Sequence, residues 1–361
     1  MAVGLWLLHK MSLLIFVVSL LCYVAPTIKP DFFPFAGFLA MCIPLCMIAH
    51  LGMFLAWLMV KKFQPAVLSL LGLLMAFPYW NATVAFRLSS EQKPDFEVLS
   101  YNVRLFNAYD RPEHSPQAKA IIQWVIEDSS HIKCLQEYYQ LDTSTLFNLP
   151  TKMSSKLRKY YHFFSPCCMN NLGGQMGLAI YSCFPIVNQG TIDLKGRFPY
   201  GAIFADIVIG KDTIRVYNLH LQSMSINEHA LFQSSSNWEK IKAIVKDVLK
   251  RLKYGFRQRS QQVEIIAKHV SVSPYPVVLC GDLNDLPYSY TYYRFSQLLR
   301  NAFEDAAMGL GFTYNGKFLS FLRIDNQFYS QGLQPTYLHT IRQANYSDHF
   351  PLKAGYRLLV H

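Results

Sequence analysis

Eight side chains between positions 102 and 349 could carry chemistry: Asn102, Glu137, His220, Asp282, Asn284, Asp325, Asp348 and His349. Carboxylates are hard ligands for Mg²⁺ and can also take protons; histidines can give protons; amides can hold an anionic oxygen. The sharpest stretch is Pro276-Val277-Val278-Leu279-Cys280-Gly281-Asp282-Leu283-Asn284-Asp285. Its apolar run reads as a buried strand that stops at a glycine, after which an acid and an amide follow two residues apart. Taken alone, the same pattern describes a polar turn closing a core strand. The other candidates are equally two-sided. Asn102 could meet a metal or a phosphate, or form a turn, and Glu137 could be a hard-metal ligand or a surface acid. His220 could be a general acid or a core histidine. Tyr346-Ser347-Asp348-His349-Phe350-Pro351 sets an acid beside a histidine.

The elements that must position these residues follow from periodicity. Alternating or apolar runs predict strands over 96–103, 132–137, 160–164, 177–182, 201–209, 213–221, 277–280 and 321–325. Helical spacing predicts helices over 117–127, 238–254 and 263–270. Nearly every candidate falls near the end of a predicted strand, and strand–loop alternation would bring those ends onto one rim. Neither GxxxxGK[ST] nor GxGxxG occurs, so a P-loop or dinucleotide fold is excluded as the source of phosphate chemistry. Asp285 is expected to shape its loop. Tyr288, Tyr290, Tyr292 and Tyr293 after it could stack nucleic-acid bases or pack the loop. The 238–254 segment sets Ile241, Ile244, Val245 and Leu252 against Lys240, Lys242, Lys246 and Lys250. Its basic side is either a solvated face or a surface for anionic lipid or nucleic acid.

The 361-residue chain is 52% hydrophobic and 16% charged, and the apolar excess is concentrated at the start. Residues 1–86 hold Lys10, Lys29, Lys61, Lys62 and Asp31 as their only charges, leaving 30 basic and 22 acidic residues for 87–361. That balance favours anionic partners. The eight cysteines show neither metal-ligand spacing nor a disulfide framework. Apolar stretches at 11–25, 32–60 and 65–86 predict three transmembrane helices, the first read as an uncleaved span and not a signal peptide. Lys10 and Lys61-Lys62 lie on one side of these spans, so the positive-inside rule puts the N-terminus in the cytoplasm and the remainder outside it. The expected organisation is a multi-pass membrane anchor at 1–90 and a catalytic domain at 94–361.

Taken in order, the motifs Ser-Tyr-Asn102, Leu-Gln-Glu137, Asn-Leu-His220-Leu, Gly-Asp282-Leu-Asn284, Arg-Ile-Asp325 and Ser-Asp348-His349 resemble the endonuclease/exonuclease/phosphatase superfamily, the DNase I-like proteins. The resemblance covers roughly 95–358. It implies a four-layer α/β sandwich of two packed sheets with helices outside. It also implies divalent-metal-dependent hydrolysis of phosphate esters, with Glu137, Asn102 and Asp348 at Mg²⁺ or Mn²⁺. In that scheme Asp282 orients or deprotonates water, Asn284 holds a phosphate oxygen, and His349 meets the phosphate under the orientation of Asp325. His220 assists the leaving oxygen.

Two departures stand out. Asn326-Gln327 replaces an aromatic and an aliphatic residue, and Arg104 stands where several nucleases carry another acid. With all six motifs present, an active phosphodiesterase is expected. A membrane-tethered nuclease comes first, and a sphingomyelinase-like or phosphoinositide-type lipid phosphoesterase is the alternative. The partners are then the phosphate-ester substrate, nucleic acid before phospholipid, and the bilayer.

Overall fold

A computed structural model describes residues 2–87, 90, 92–108, 115–154, 160–194, 200–224 and 238–359. Positions 88, 89 and 91, between the expected anchor helices and the expected catalytic domain, lie outside the described residues.

The expected three-span anchor is not formed. Helix α1 (Ala2–Val24) is long and apolar. The second predicted span is broken at Cys42 into α2 (Ala36–Met41) and α3 (Ile43–Met59). Pro44, in the first turn of α3, cannot donate to residue 40 and its ring crowds that carbonyl, so no single helix runs through. The 17 residues of α3 fall short of a bilayer's hydrocarbon core. The third predicted span is α4 (Phe63–Met75) and α5 (Phe77–Thr83), bent by 55° where Pro78 lies in the first turn of α5. Among the described residues, then, one helix can cross a membrane by length and composition, or two if the bent pair is one span. Multi-pass insertion is not supported. With one crossing the remainder lies on the opposite side from the N-terminus; with two it returns to the same side.

These helices pack on one another and on the rest of the chain. Trp57 Nε1 donates to Ser12 Oγ at 2.8 Å, tying α3 to α1, and Gly72 lets α4 close on the His50 ring. The Tyr288 hydroxyl meets Thr83 Oγ1 at 2.7 Å, and Arg323 donates to the Ala82 carbonyl at 2.6 Å. After α5, strand β1 (Ala85–Phe86) pairs with a later short strand, Met308–Gly309.

The remainder is an α/β sandwich of two six-stranded sheets. In chain order the strands are β2 (Phe96–Asn102), β3 (Ile132–Gln140), β4 (Tyr161–Met169), β5 (Gln175–Ser182), β6 (Ile186–Ile192), β7 (Gly201–Ile209), β8 (Asp212–His220) and β9 (Val277–Asp282). They continue with β10 (Arg300–Asn301), β11 (Met308–Gly309), β12 (Asp325–Tyr329), β13 (Leu333–Thr340) and β14 (Leu352–Leu358). One sheet has the order β13-β14-β2-β3-β5-β4 and the other β10-β12-β9-β8-β7-β6. Each has a central parallel pair, β2–β3 and β8–β9, and each pair is joined through a helix, as parallel neighbours require. The first crossover is α6 (Pro116–Glu127), capped by Ser115 Oγ on the Ala118 amide. Helix α7 (Leu149–Ser154) lies beyond β3. The second crossover is α8 (Trp238–Ser271), one 34-residue helix in place of the two shorter ones that the spacing predicts. Short helices α9 (Tyr290–Ser296) and α10 (Ala302–Ala306) follow β9.

Three apolar clusters make the layers. Val98, Ile132, Cys134, Val216, Val278 and Cys280 fill the space between the sheets. Leu99, Ile121, Val125 and Leu135 join the first sheet to α6, and Leu219, Val263, Ile266 and Leu279 join the second to α8. The inter-sheet layer also holds amides. Asn218 on β8 donates to the Leu135 and Ala179 carbonyls at 3.0 Å each and accepts from Gln136 at 2.6 Å. Gln327 on β12 donates to the Val98 and Leu352 carbonyls at 3.2 and 2.8 Å. Thus Gln327, one of the three residues that depart from the expected pattern, is a polar bridge between the sheets.

Replacing Asn218 with Ala removes the side-chain donor from the buried Leu135 and Ala179 carbonyls and one of three acceptors from the Gln136 amide. Unfolding of the full chain should show a loss of about 1–3 kcal/mol. An unchanged melting curve would mean that the Asn218 bridge contributes nothing measurable to holding the sheets together.

Candidate active site

The strand register gathers the candidates. In the second sheet His220 pairs with Asp282 across the parallel β8–β9 ladder, and Asp282 pairs with Asp325 across the antiparallel β9–β12 ladder. Three candidates therefore stand in one row. Asp325 opens β12 and does not close a strand over 321–325; that segment is loop, and the side chain reaches the rim from the other direction. In the first sheet Asn102 is the last residue of β2, beside Gln136 on β3. The loop entering β14 carries Asp348 and His349. It is fastened by Ser347 Oγ, which donates to the Asn102 carbonyl at 2.8 Å, and by the Phe350 amide on the Thr313 carbonyl at 2.7 Å.

Two backbone features aim the acids. The β3–β5 ladder shifts register between Leu135 and Tyr138, and Glu137 sits in this irregularity with φ 47°. A bulge of this kind re-aims a side chain that the regular pleat would send elsewhere. At Gly281 φ is 142°, and a Cβ there would lie 2.0 Å from the Leu219 carbonyl oxygen. The glycine lets β9 lie against β8 just before Asp282.

Asp282 is the hub. Its Oδ2 accepts from Asn102 Nδ2 at 3.1 Å and Asn284 Nδ2 at 3.2 Å, and its Oδ1 accepts from the Asn284 amide at 2.8 Å. His220 Nε2 and His349 Nε2 each lie 3.6 Å from Oδ2. His220 Nε2 is also 3.7 Å from Glu137, and Tyr200 packs edge-on against its ring. The Asn102 NH₂ group stands between two acids, reaching Glu137 Oε1 at 3.3 Å. Asp325 Oδ2 pairs with His349 Nδ1 at 2.8 Å, which fixes the ring with Nε2 towards Asp282. All eight sequence candidates thus share one cluster, with Asp325 behind His349. Asn284 differs in detail from its expected part, because its NH₂ group is committed to Asp282 and to the Leu221 carbonyl at 3.0 Å.

The charges are unevenly balanced. Burial pushes the Asp282 carboxyl above the ordinary carboxylate range, and Asp325 adds to this; His349 and His220 oppose it without reversing it. Burial would drain the His349 ring of its proton, but Asp325, Asp282 and Asp348 together outweigh that and hold it well above the ordinary histidine value. Burial and the neighbouring Asp348 push Glu137 up, against the pull of His349, Asn102 and Arg104. Arg104 stands 3.5 Å from Asp348, so the position expected to lack an acid supplies a counter-charge.

The donor set fits a divalent cation. Glu137 and Asp348 are hard oxygen donors whose mutual repulsion a cation would relieve, and Asn102 lies between Glu137 and Asp282. Asp282, Asp325 and His349 also offer atoms within 4.8 Å of one another. There, however, Asp325 and the His349 ring already satisfy each other as a hydrogen-bonded pair.

Residues that sequence reasoning passed over are Ser347, Thr313, Gln136 and Asn218. Thr313 Oγ1 accepts from the Ile324 and Asp325 amides at 3.0 Å each. Gln136 and Asn218 sit inside motifs already singled out for their neighbours. Asp285 shapes its loop as expected, through Arg259 Nε and Thr291 Oγ1, both at 2.9 Å. The tyrosine cluster packs that loop: Tyr288 and Tyr292 are buried, and the Tyr290 and Tyr292 hydroxyls are bonded to Glu264 and Glu304. It offers no open stacking platform.

In chelator-treated protein, the His349 ring should titrate above its usual value near 6.5 in a histidine NMR series, and Asp325→Asn should lower it. The stability contributed by this pair is full below pH 6.5 and is lost as pH rises through the raised value. A ring titrating at or below 6.5 in the wild type would contradict the charge balance described.

Residues 99–349 match the endonuclease/exonuclease/phosphatase family, and residues 5–83 match a domain of unknown function. No curated protein sequence matches the chain. Several solved structures share the fold. The catalytic domain of human Nocturnin, with bound sulfate anion, is 17% identical over 75% of this chain and 96% of its own, with a TM-score of 0.51. A mannosyl-6-phosphatase of Bacteroides thetaiotaomicron is 19% identical over 72% and 99%, with a TM-score of 0.50. The endonuclease/exonuclease/phosphatase from Bacteroides vulgatus is 15% identical over 73% and 99%, with a TM-score of 0.53.

Proposed function

The chain belongs to the endonuclease/exonuclease/phosphatase family, whose members are hydrolases of phosphate esters, and on that premise we propose that it is a metal-dependent phosphodiesterase. The observation that carries the proposal is the convergence on Asp282 Oδ2 of two histidines and two amides, with Glu137 and Asp348 alongside. Asp282 orients water and accepts its proton, a task suited to a buried carboxylate whose affinity for protons is raised. His349, held charged by Asp325, donates to a phosphate oxygen as negative charge develops there. His220 protonates the leaving oxygen, the assistance that an alkoxide leaving group requires. Asn284 positions Asp282. Glu137, Asp348 and Asn102 would hold Mg²⁺ or Mn²⁺, which when bound polarises the phosphoryl group and neutralises charge. Helix α1 tethers the chain to a bilayer.

Purified full-length protein supplied with Mg²⁺ or Mn²⁺ should hydrolyse bis(p-nitrophenyl) phosphate, and chelation should abolish this until metal returns. Asp282→Ala and His349→Ala should each lower kcat/KM by about 10²–10⁴-fold. Turnover indifferent to both substitutions would refute the assignment. Separately, Glu137→Gln should raise the Mg²⁺ concentration for half-maximal rate by about tenfold or more, read from a metal titration. An unmoved midpoint would take Glu137 out of the metal site.

A further inference from the structure

The catalytic cluster forms the floor of a cleft of about 750 Å³. The walls are of a different character. On one side stand Met41, Pro44 and Leu45 from the N-terminal helices, continued by Val248 and Leu252 of α8. A second apolar group in the lining is Leu310, Phe312, Leu319 and Phe321. Leu45 is 66% exposed and Phe321 is 56% exposed, so in both groups apolar surface extends from inside the cleft to the outside of the molecule. On the α3 side it merges with Ile48 and Leu55, which are exposed on the same helix.

A groove for a nucleic-acid backbone would present Lys and Arg to successive phosphates. Among the described residues lining this cleft, Arg323 is the single Lys or Arg, and it is buried and bonded to the Ala82 carbonyl and Asn326. The cations gather instead on α8, outside the cleft. There Trp238, Ile241, Val245 and Leu249 form an exposed apolar stripe at helical spacing, flanked by Lys242, Lys246, Lys250 and Lys253. The Lys253 ammonium lies 5.8 Å from the centre of the Phe35 ring, beside exposed Phe32 and Phe33. An apolar stripe edged with lysines is the pattern of a helix lying in the headgroup region of an anionic bilayer.

Resting on the phosphodiesterase reading above, we propose that the substrate is a phospholipid drawn from the bilayer that the N-terminal helices contact. Its phosphate lies on the Asp282–His349 floor. Its hydrocarbon chain leaves between Met41–Leu45 and Leu310–Phe321. The N-terminal helices are thus one wall of the binding site as well as an anchor, and α8 sets the cleft mouth at headgroup depth.

The test uses full-length protein in nanodiscs with Mg²⁺. Phosphatidylglycerol, sphingomyelin or phosphatidylinositol is supplied in the bilayer, and single-stranded DNA, RNA or bis(p-nitrophenyl) phosphate is supplied in solution. At least one phospholipid should be turned over in preference to either oligonucleotide. Leu45→Glu and Phe321→Glu put a carboxylate in the path of the chain at exposed positions that the fold tolerates. Each should lower the ratio of lipid to bis(p-nitrophenyl) phosphate turnover by about tenfold or more. Preference for an oligonucleotide would overturn the proposal, as would hydrolysis of the soluble ester with no lipid turned over, or a ratio unmoved by both substitutions. Failure on every substrate, bis(p-nitrophenyl) phosphate included, would instead sink the phosphodiesterase reading and this inference with it.

Discussion

The reactive cluster is split between two sheets, and its geometry depends on how those sheets are held against each other. Asn102 and Glu137 ride on one; His220, Asp282 and Asp325 ride on the other. Apolar packing between them is strong but non-directional, so it does not by itself name one register. Hydrogen bonds are less forgiving. Asn218 reaches the Leu135 and Ala179 carbonyls, and Gln327 reaches those of Val98 and Leu352, so each crosses the gap to two separate points. A buried amide left unsatisfied is costly, so any slide meets a penalty in every bridge together. Asn218 lies two residues before His220, and Gln136 directly before Glu137. The pins are therefore built beside the groups they align.

The backbone around the cluster is correspondingly unrelaxed. Arg104, Glu137 and Asn284 all adopt left-handed φ values, of 48°, 47° and 49°. Such conformations cost non-glycine residues of order 1 kcal/mol each and persist where the surroundings over-determine them. The surroundings here are specific. The Arg104 amide is bonded to Asn102 Oδ1, the Asn284 amide to Asp282 Oδ1, and Glu137 is fixed by the ladder on either side of its bulge. The acids are pre-aimed, and the folded core meets the cost.

The site was more legible in the sequence than its scaffold. Each candidate belonged to a short motif, nearly all of them near the end of a predicted strand, and the order of motifs pointed to the sandwich. What the motifs did not carry was the support. Gln136 and Asn218 read as ordinary polar residues in strands, because a partner more than eighty positions away leaves no local pattern. Asn326 and Gln327 read as weaknesses in a strand; in three dimensions both are bonded, Asn326 by Asn301 and Arg323. Strands β6 and β13 escaped notice as edge strands, and β14 because Ala354, Gly355 and Tyr356 are buried in succession and break its alternation. Hydropathy alone overcounted the spans, since it registers apolar content and is blind to the helix breaks at Pro44 and Pro78.

Strand β14 has a consequence for how the molecule is made. It lies between β13 and β2, so the strand that opens the sandwich cannot complete its pairing until residues 352–358 have left the ribosome. The loop just ahead of β14 delivers Asp348 and His349. Contacts spanning so much of the chain form slowly, and unpaired strand edges are exposed to wrong partners meanwhile. Pairing of the first sheet and delivery of Asp348 and His349 to the cluster are thus completed by the same stretch of chain, so a molecule whose first sheet is unfinished also lacks part of its reactive cluster.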